Sequence, residues 1–169
     1  VKEVSAIEPI AVAPDVLALA QVVERYYRAP IGLATALALP PEPVLERSSS
    51  KSADFAPQVL RGETPEIGLI AEQTLAANAI IAALGAHQDF LLHGITGSGK
   101  TEVYVAAIRA AMARGEQSLV LVPEINLTPQ WMARLATQIP GARIVALHSS
   151  LSDGERFRAW TAANEGAAD

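Results

Sequence analysis

Along this chain apolar positions recur at the helical period in some stretches and run continuously in others, and the change between the two patterns lays out the elements. Val16, Leu19 or Ala20, Val23 and Tyr27 share one helical face, which predicts a helix opened by Pro14-Asp15 with Asp15 as N-cap and stopped before Pro30. Ile31-Gly32 reads as a turn, and Leu33 to Leu39 as a second short helix ended by Pro40-Pro41. Residues 1–13 are rich in β-branched side chains around Pro9 and read as an edge strand or extended arm. From Ile67 the helical period returns through Ile70, Thr74, Ala77, Ile80 or Ile81 and Leu84, with Gly85 placed just past the end.

The continuous runs read as buried strands. They are Phe90-Leu91-Leu92, Ser118 to Val122 and Ala142 to Leu147, of which 118–122 has the look of a parallel strand covered on both faces. Helical stretches lie between and after them. Glu102 to Arg114 is one, with the Arg114 cation against the C-terminal dipole and Gly115 as its stop. The next starts with Thr128 as N-cap, Pro129 at the first helical position and Leu127 able to staple onto Met132, and it ends near Ile139-Pro140-Gly141. Ser152-Asp153-Gly154-Glu155 spells a capping box that opens a last helix through Trp160, after which residues 161–169 offer no core. Strand and helix in alternation predict an α/β fold with a parallel sheet and helices on both faces, whose ligands sit beyond the carboxyl ends of the strands.

One such end carries candidate chemistry. Gly94-Ile95-Thr96-Gly97-Ser98-Gly99-Lys100-Thr101 spells G-x-x-x-x-G-K-[ST], in the strand-loop-helix context that this motif needs. Glycines let backbone N–H groups converge on a phosphate, and the helix N-terminus beyond adds its dipole. In that template Lys100 reaches the β- and γ-phosphates and the Thr101 hydroxyl holds Mg²⁺. Gln73, inside the preceding helix, reads by itself as an exposed polar position.

Composition trims the options. The 169 residues are 50% hydrophobic and 18% charged, which fits a packed core and not a disordered chain. No run approaches the ~18 apolar residues of a membrane span, and no partner membrane is expected. With no cysteine, disulfides, thiolate zinc sites and thiol catalysis are excluded, and a cytoplasmic setting fits. The formal net charge of −5 does not advertise a nucleic-acid binder, so that reading has to rest on motifs. The first residue is Val1 and not Met, which reads as the mark of a fragment.

Three stretches narrow the class of nucleotide protein: Gln73; Pro123-Glu124-Ile125-Asn126-Leu127-Thr128-Pro129-Gln130; and His148-Ser149-Ser150-Leu151-Ser152-Asp153-Gly154-Glu155-Arg156. Together with Gly94 to Tyr104 they closely resemble the primosomal protein N′ family, the replication-restart DNA helicases of superfamily 2. Tyr26-Tyr27-Arg28-Ala29-Pro30-Ile31-Gly32 and Ala38-Leu39-Pro40 resemble the closing part of that family's 3′-DNA-binding domain. The resemblance covers about residues 1–41 and 67–165. It implies a partial RecA-like motor lobe over 67–169, preceded by a small α+β remnant of the DNA-binding domain over 1–41. Residues 42–66, rich in Ser and Pro, form a linker.

The same resemblance implies roles. Gln73 would hydrogen-bond adenine. Gly94, Thr96, Gly97, Ser98, Gly99, Lys100 and Thr101 would hold ATP, with Lys100 and Thr101 serving catalysis and Thr101 the Mg²⁺. Glu124, Asn126, Thr128, Gln130, His148 and Ser149 would face DNA, although Glu124 reads equally as structural and His148 equally as a satisfied loop histidine. Trp131 and Trp160 read as packing residues. Forked and single-stranded DNA, primosome proteins and single-stranded DNA-binding protein are the implied partners, at a cytoplasmic, nucleoid-associated location.

Family members carry further parts: a winged-helix domain, an acidic pair on a later strand, a second lobe with an arginine finger, and cysteine-bound zinc. About 25 linker-like residues are too few for the winged helix, and this chain holds no zinc ligands. The expectation is therefore a fragment that binds ATP·Mg²⁺ weakly and does not turn it over. Two rivals stand beside it: a non-catalytic DNA-binding module with a relic phosphate loop, and a P-loop small-molecule kinase, for which residues 116–169 show no arginine cluster.

Overall fold

The computed structural model describes residues 12–39, 58–59, 68–123 and 128–169. The predicted arm over 1–13 lies almost wholly outside the described residues, as do Glu124, Asn126 and the Leu127 staple.

Two helices, α1 (Pro14–Tyr27) and α2 (Ile31–Ala38), pack on each other as a hairpin. The cap of α1 is Ala13 and not Asp15. Proline explains the shift: its fixed φ and missing N–H suit the first helical position, so Pro14 takes it and Asp15 falls in the first turn, still favourable to the dipole. Arg28 ends α1 in the left-handed region at φ 55. Ile31-Gly32 is not a turn; with Pro30 as N-cap, α2 starts at Ile31.

The phosphate-loop region is built from α3 (Ala71–Ala82) and α4 (Lys100–Ala113), which pack together. Gly85 and Gly115 follow these helices at φ +89 and +73, where a side chain would be strained. Next come α5 (Thr128–Gln138), β2 (Arg143–Ile144) and α6 (Asp153–Asn164). The helix α5 begins at Thr128 itself, one residue before a Thr128 cap would place it, a difference of the size common at frayed first turns.

The core lies where α4 meets α5. Val105, Leu135, Ile139 and Ala142 are buried together, with Ile108, Met112, Trp131 and Ile144 packed against them. Trp131 also lies over Tyr104, ring centroids 6.4 Å apart, which makes it a packing residue as expected. Arg109 on α4 donates to the carbonyl of Gln138 at the end of α5, satisfying an acceptor that a helix terminus leaves open.

The sheet departs from the sequence pattern. Among the described residues the only ladder is antiparallel, β1 (Gln58–Val59) with β2, pairing Gln58 with Ile144 and Val59 with Arg143. Residues 90–92 and 118–122 carry no strand, and Leu91, Leu119 and Leu121 are 92%, 87% and 84% exposed, so 118–122 is not covered on both faces. A continuous apolar run specifies that a segment wants partners on both sides; it does not supply them. An apolar cleft of about 690 Å³ runs between 118–122 and 142–147, floored by α4 and α5.

The tail does contribute. Ala168 is buried, and the Asp169 backbone bridges the two extended runs, accepting from Ser118 N and donating to Arg143 O at 2.8 Å each. Its carboxylate takes Arg143 Nη2 at 2.6 Å, Nε at 3.1 Å and the Arg143 backbone N–H at 2.7 Å. These bonds hold the Asp169 carboxyl below its ordinary pKa, the Arg143 side-chain hydrogen bond contributing most, and raise that of Arg143.

Candidate nucleotide site

The loop between Leu92 and α4 is folded by its glycines. Gly97 and Gly99 sit at φ +82 and +77, conformations in which an L side chain is strained. A Cβ on Gly94 would come within 2.5 Å of Ser98 Oγ. The turn closes through Ser98 N donating to Ile95 O at 3.2 Å, and α4 starts with Glu102 N donating to Gly99 O at 3.1 Å.

Lys100 curls back over the loop. Its Nζ donates to Gly94 O at 2.6 Å and Ile95 O at 2.8 Å, so the ammonium is held at the loop's rim by carbonyls at its start. Thr101, half-buried, follows in the first turn of α4. That turn offers N–H groups without intrahelical partners, the donor set that a phosphate needs, and beside them one cation and one hydroxyl suited to a phosphate-bound Mg²⁺. The residues therefore fit a nucleotide triphosphate's phosphates with the metal on Thr101.

Gln73 is not solvent decoration. Its Oε1 accepts from Ile70 N at 3.0 Å, and its Nε2 donates to Ser98 O at 3.1 Å and Gly99 O at 3.4 Å. A residue 25 positions upstream is thus fastened to the phosphate loop. Gln73, Ile70, Leu92, Gly94, Ser98 and Lys100 line a cleft of about 210 Å³.

The residues expected to face DNA are partly placed. Glu124 and Asn126 lie outside the described residues, and Thr128 opens α5. Gln130 is exposed on the first turn of α5, whose neighbours Trp131 and Met132 line the larger cleft together with His148 and Ser149. Residues near the start of α5 and the loop at 148 therefore border one cleft. His148 Nδ1 is 2.8 Å from Ser150 Oγ, a partner within its own loop. The capping box forms as read: Ser152 Oγ accepts from Glu155 N at 3.3 Å, while Glu155 Oε2 accepts from Ser152 N at 2.8 Å and from its Oγ at 2.7 Å. These bonds lower the Glu155 pKa, the Ser152 hydroxyl foremost.

One connection had no signal in the sequence. Arg134 on α5 pairs with Glu102 on α4, next to Thr101, while the other carboxylate oxygen of Glu102 is buried without a partner among the described residues. Two charged residues 32 apart on different helices announce nothing until the helices are packed.

These features define a phosphate-loop nucleotide-binding protein. A family model described as type III restriction enzyme, res subunit, matches residues 66–162, more than half of the chain, and the chain belongs to that family. The match points to a RecA-like fold. Among individual proteins, the chain is 43% identical over 100 residues to the replication restart protein PriA of Bacillus subtilis (strain 168), covering 58% of this chain and 12% of that protein. It is 40% identical over 144 residues to replication restart protein PriA of Treponema pallidum (strain Nichols), covering 85% of this chain and 21% of that one. A third PriA, from Synechocystis, is 41% identical over 104 residues. The similarity to replication restart proteins that the motifs suggested is thus borne out, and the chain spans between 12% and 21% of the length of these relatives. Among the described residues no helix is long and apolar enough to cross a membrane.

Proposed function

We propose that this chain is the nucleotide-gripping part of an ATP-dependent 3′→5′ DNA helicase that acts in replication restart and primosome assembly. The observation that carries this reading is the loop from Gly94 to Thr101, with Lys100 curled at its rim and Gln73 fastened behind it. Lys100 binds and orients the β- and γ-phosphates, exchanging its bonds to Gly94 O and Ile95 O for phosphate oxygens. The Thr101 hydroxyl would hold Mg²⁺, whose charge would offset that of the phosphates. Oε1 of Gln73 has one unspent lone pair, suited to the adenine N6 amino group and unsuited to the guanine carbonyl.

Residues 67–169 form the first part of a motor lobe with a parallel sheet, and residues 1–41 the end of a DNA-binding domain. On the motor, the start of α5 and the loop at 148–149 meet one DNA strand, helix N–H groups donating to phosphate. Forked and single-stranded DNA are the substrates, and primosome proteins with single-stranded DNA-binding protein the partners. The phosphate loop supplies binding, whereas hydrolysis also needs a second carboxylate on the metal, a positioned water and usually an arginine. The 169-residue chain therefore holds Mg·ATP with slow turnover at most.

Displacement of a fluorescent ATP analogue tests the reading. Lys100→Ala loses about a hundredfold in Mg·ATP affinity, the equivalent of one charge-assisted bond of about 3 kcal/mol. Equal affinity in the two proteins overturns it. Forked DNA titrated at two salt concentrations gives weak, salt-dependent binding, as expected for a chain of net charge −5; tight, salt-insensitive binding contradicts the DNA-motor assignment.

A further inference from the structure

The bonds of Gln73 assign its amide without ambiguity. A backbone N–H can only donate and carbonyls can only accept, so Oε1 must face Ile70 N and Nε2 must face Ser98 O and Gly99 O. The amide nitrogen is therefore turned to the phosphate loop and the oxygen to the start of α3.

Peptide geometry gives this orientation a consequence. In a planar trans peptide the C=O of one residue and the N–H of the next point in opposite directions. Tying Ser98 O toward Gln73 aims the Gly99 N–H away from it, while Gly99 O is shared between Gln73 Nε2 at 3.4 Å and Glu102 N at 3.1 Å, so that Gln73 and the first bond of α4 together aim the Lys100 N–H; both groups belong to the donor set of the loop. The fit is close enough to exclude a side chain: a Cβ on Gly99 would lie 2.2 Å from Gln73 Nε2. The anchor is firm from the other side as well, since Gln73 sits in the first turn of α3, its Oε1 is bonded to Ile70 N at the N-cap, and α3 packs on α4.

We propose that Gln73 is a positioning residue for the triphosphate: by holding the carbonyls of Ser98 and Gly99 to the rear, it presets the loop's N–H groups for phosphate, whatever base the ligand carries. This rests on the nucleotide-binding reading above, and it adds to base contact a role that base contact does not predict. Loop order and base recognition then meet in one amide, its nitrogen on the loop and its oxygen, bonded to Ile70 N, keeping one lone pair for the base.

A ligand without a base separates the two roles. Binding of Mg·tripolyphosphate and of Mg·ATP is measured by calorimetry on the whole chain, for wild type, Gln73→Ala and Gln73→Met, with far-UV circular dichroism and thermal unfolding run on each. Methionine keeps the length of the side chain and removes the donors. Both variants lose about tenfold in tripolyphosphate affinity, the equivalent of about 1.4 kcal/mol, with the helical signal retained. Tripolyphosphate affinity unchanged in a folded variant, with only ATP affinity reduced, overturns the proposal and leaves the ATP site standing. Wild type binding neither ligand overturns both. If Gln73→Ala unfolds, Gln73→Met decides in the same way.

Discussion

Replacing Val105 with alanine measures how firmly the phosphate-loop helix is anchored. Val105 is 0% exposed and stands in the cluster with Leu135, Ile139 and Ala142 that joins α4 to α5. The substitution removes two buried carbons, worth about 1.6 kcal/mol at ~0.8 kcal/mol each. If roughly 40 Å³ of cavity persists, ~24 cal/mol per Å³ adds about 1 kcal/mol. The expected loss is therefore about 2.6 kcal/mol. Urea unfolding followed by circular dichroism reads this as a fall in midpoint of about 1.3 M, for a slope of ~2 kcal/mol/M that the variant leaves unchanged. Leu121→Ala is the control: that side chain is 84% exposed, and its loss should cost under ~0.5 kcal/mol. A midpoint shift below about 0.3 M for Val105→Ala, or an equal loss at Leu121, would refute the assignment of the core to the α4–α5 contact. Because Val105 touches the loop only through α4, Mg·ATP affinity corrected for the folded fraction stays at the wild-type value.

Three further outcomes follow from single contacts. Gly99→Ala forces a Cβ into φ +77 and against Gln73 Nε2; the left-handed conformation alone costs about 1–2 kcal/mol, and calorimetry should show weaker tripolyphosphate binding as well as a lower unfolding temperature. Ser152→Ala removes the N-cap of α6, a loss on the order of 1 kcal/mol at neutral pH by urea unfolding. The Glu155 carboxyl has its folded pKa below its unfolded value, so its contribution is present above the ordinary carboxylate range and fades as pH falls through the folded pKa; in Ser152→Ala that acid-side loss flattens. Asp169 obeys the same sign, because Arg143 depresses its pKa. Asp169→Asn should lower the unfolding temperature at pH 7, and the deficit should shrink as pH falls through the folded pKa of the wild-type carboxyl; a deficit that stays constant as pH is lowered would show that the contact acts through packing and not through charge.

What was legible in the sequence was local. The phosphate loop, the capping box at Ser152, the glycine stops at Gly85 and Gly115 and the helical faces of α3 to α6 are fixed by interactions within a few residues, where spacing along the chain is distance in space. Helix starts were less secure, because neighbouring residues compete for the cap: Pro14 displaced Asp15, and Pro30 drew Ile31-Gly32 into α2. The apolar runs at 90–92 and 118–122 show the limit of pattern. Their composition states a need for burial, and Leu119 and Leu121 stand exposed because burial depends on partners that no local spacing provides.

The sequence by itself determined that the stretch from Gly94 to Thr101 carries the phosphate-loop pattern and that the chain resembles replication restart proteins. Only the tertiary structure decided that Gln73 is bonded to the loop and not to water, that Glu102 meets Arg134, and that Asp169 ties Ser118 to Arg143. Each of those contacts joins residues 25 or more apart. Their free energy appears only after helices have packed, so it leaves no period, cap or motif in the chain that specifies them.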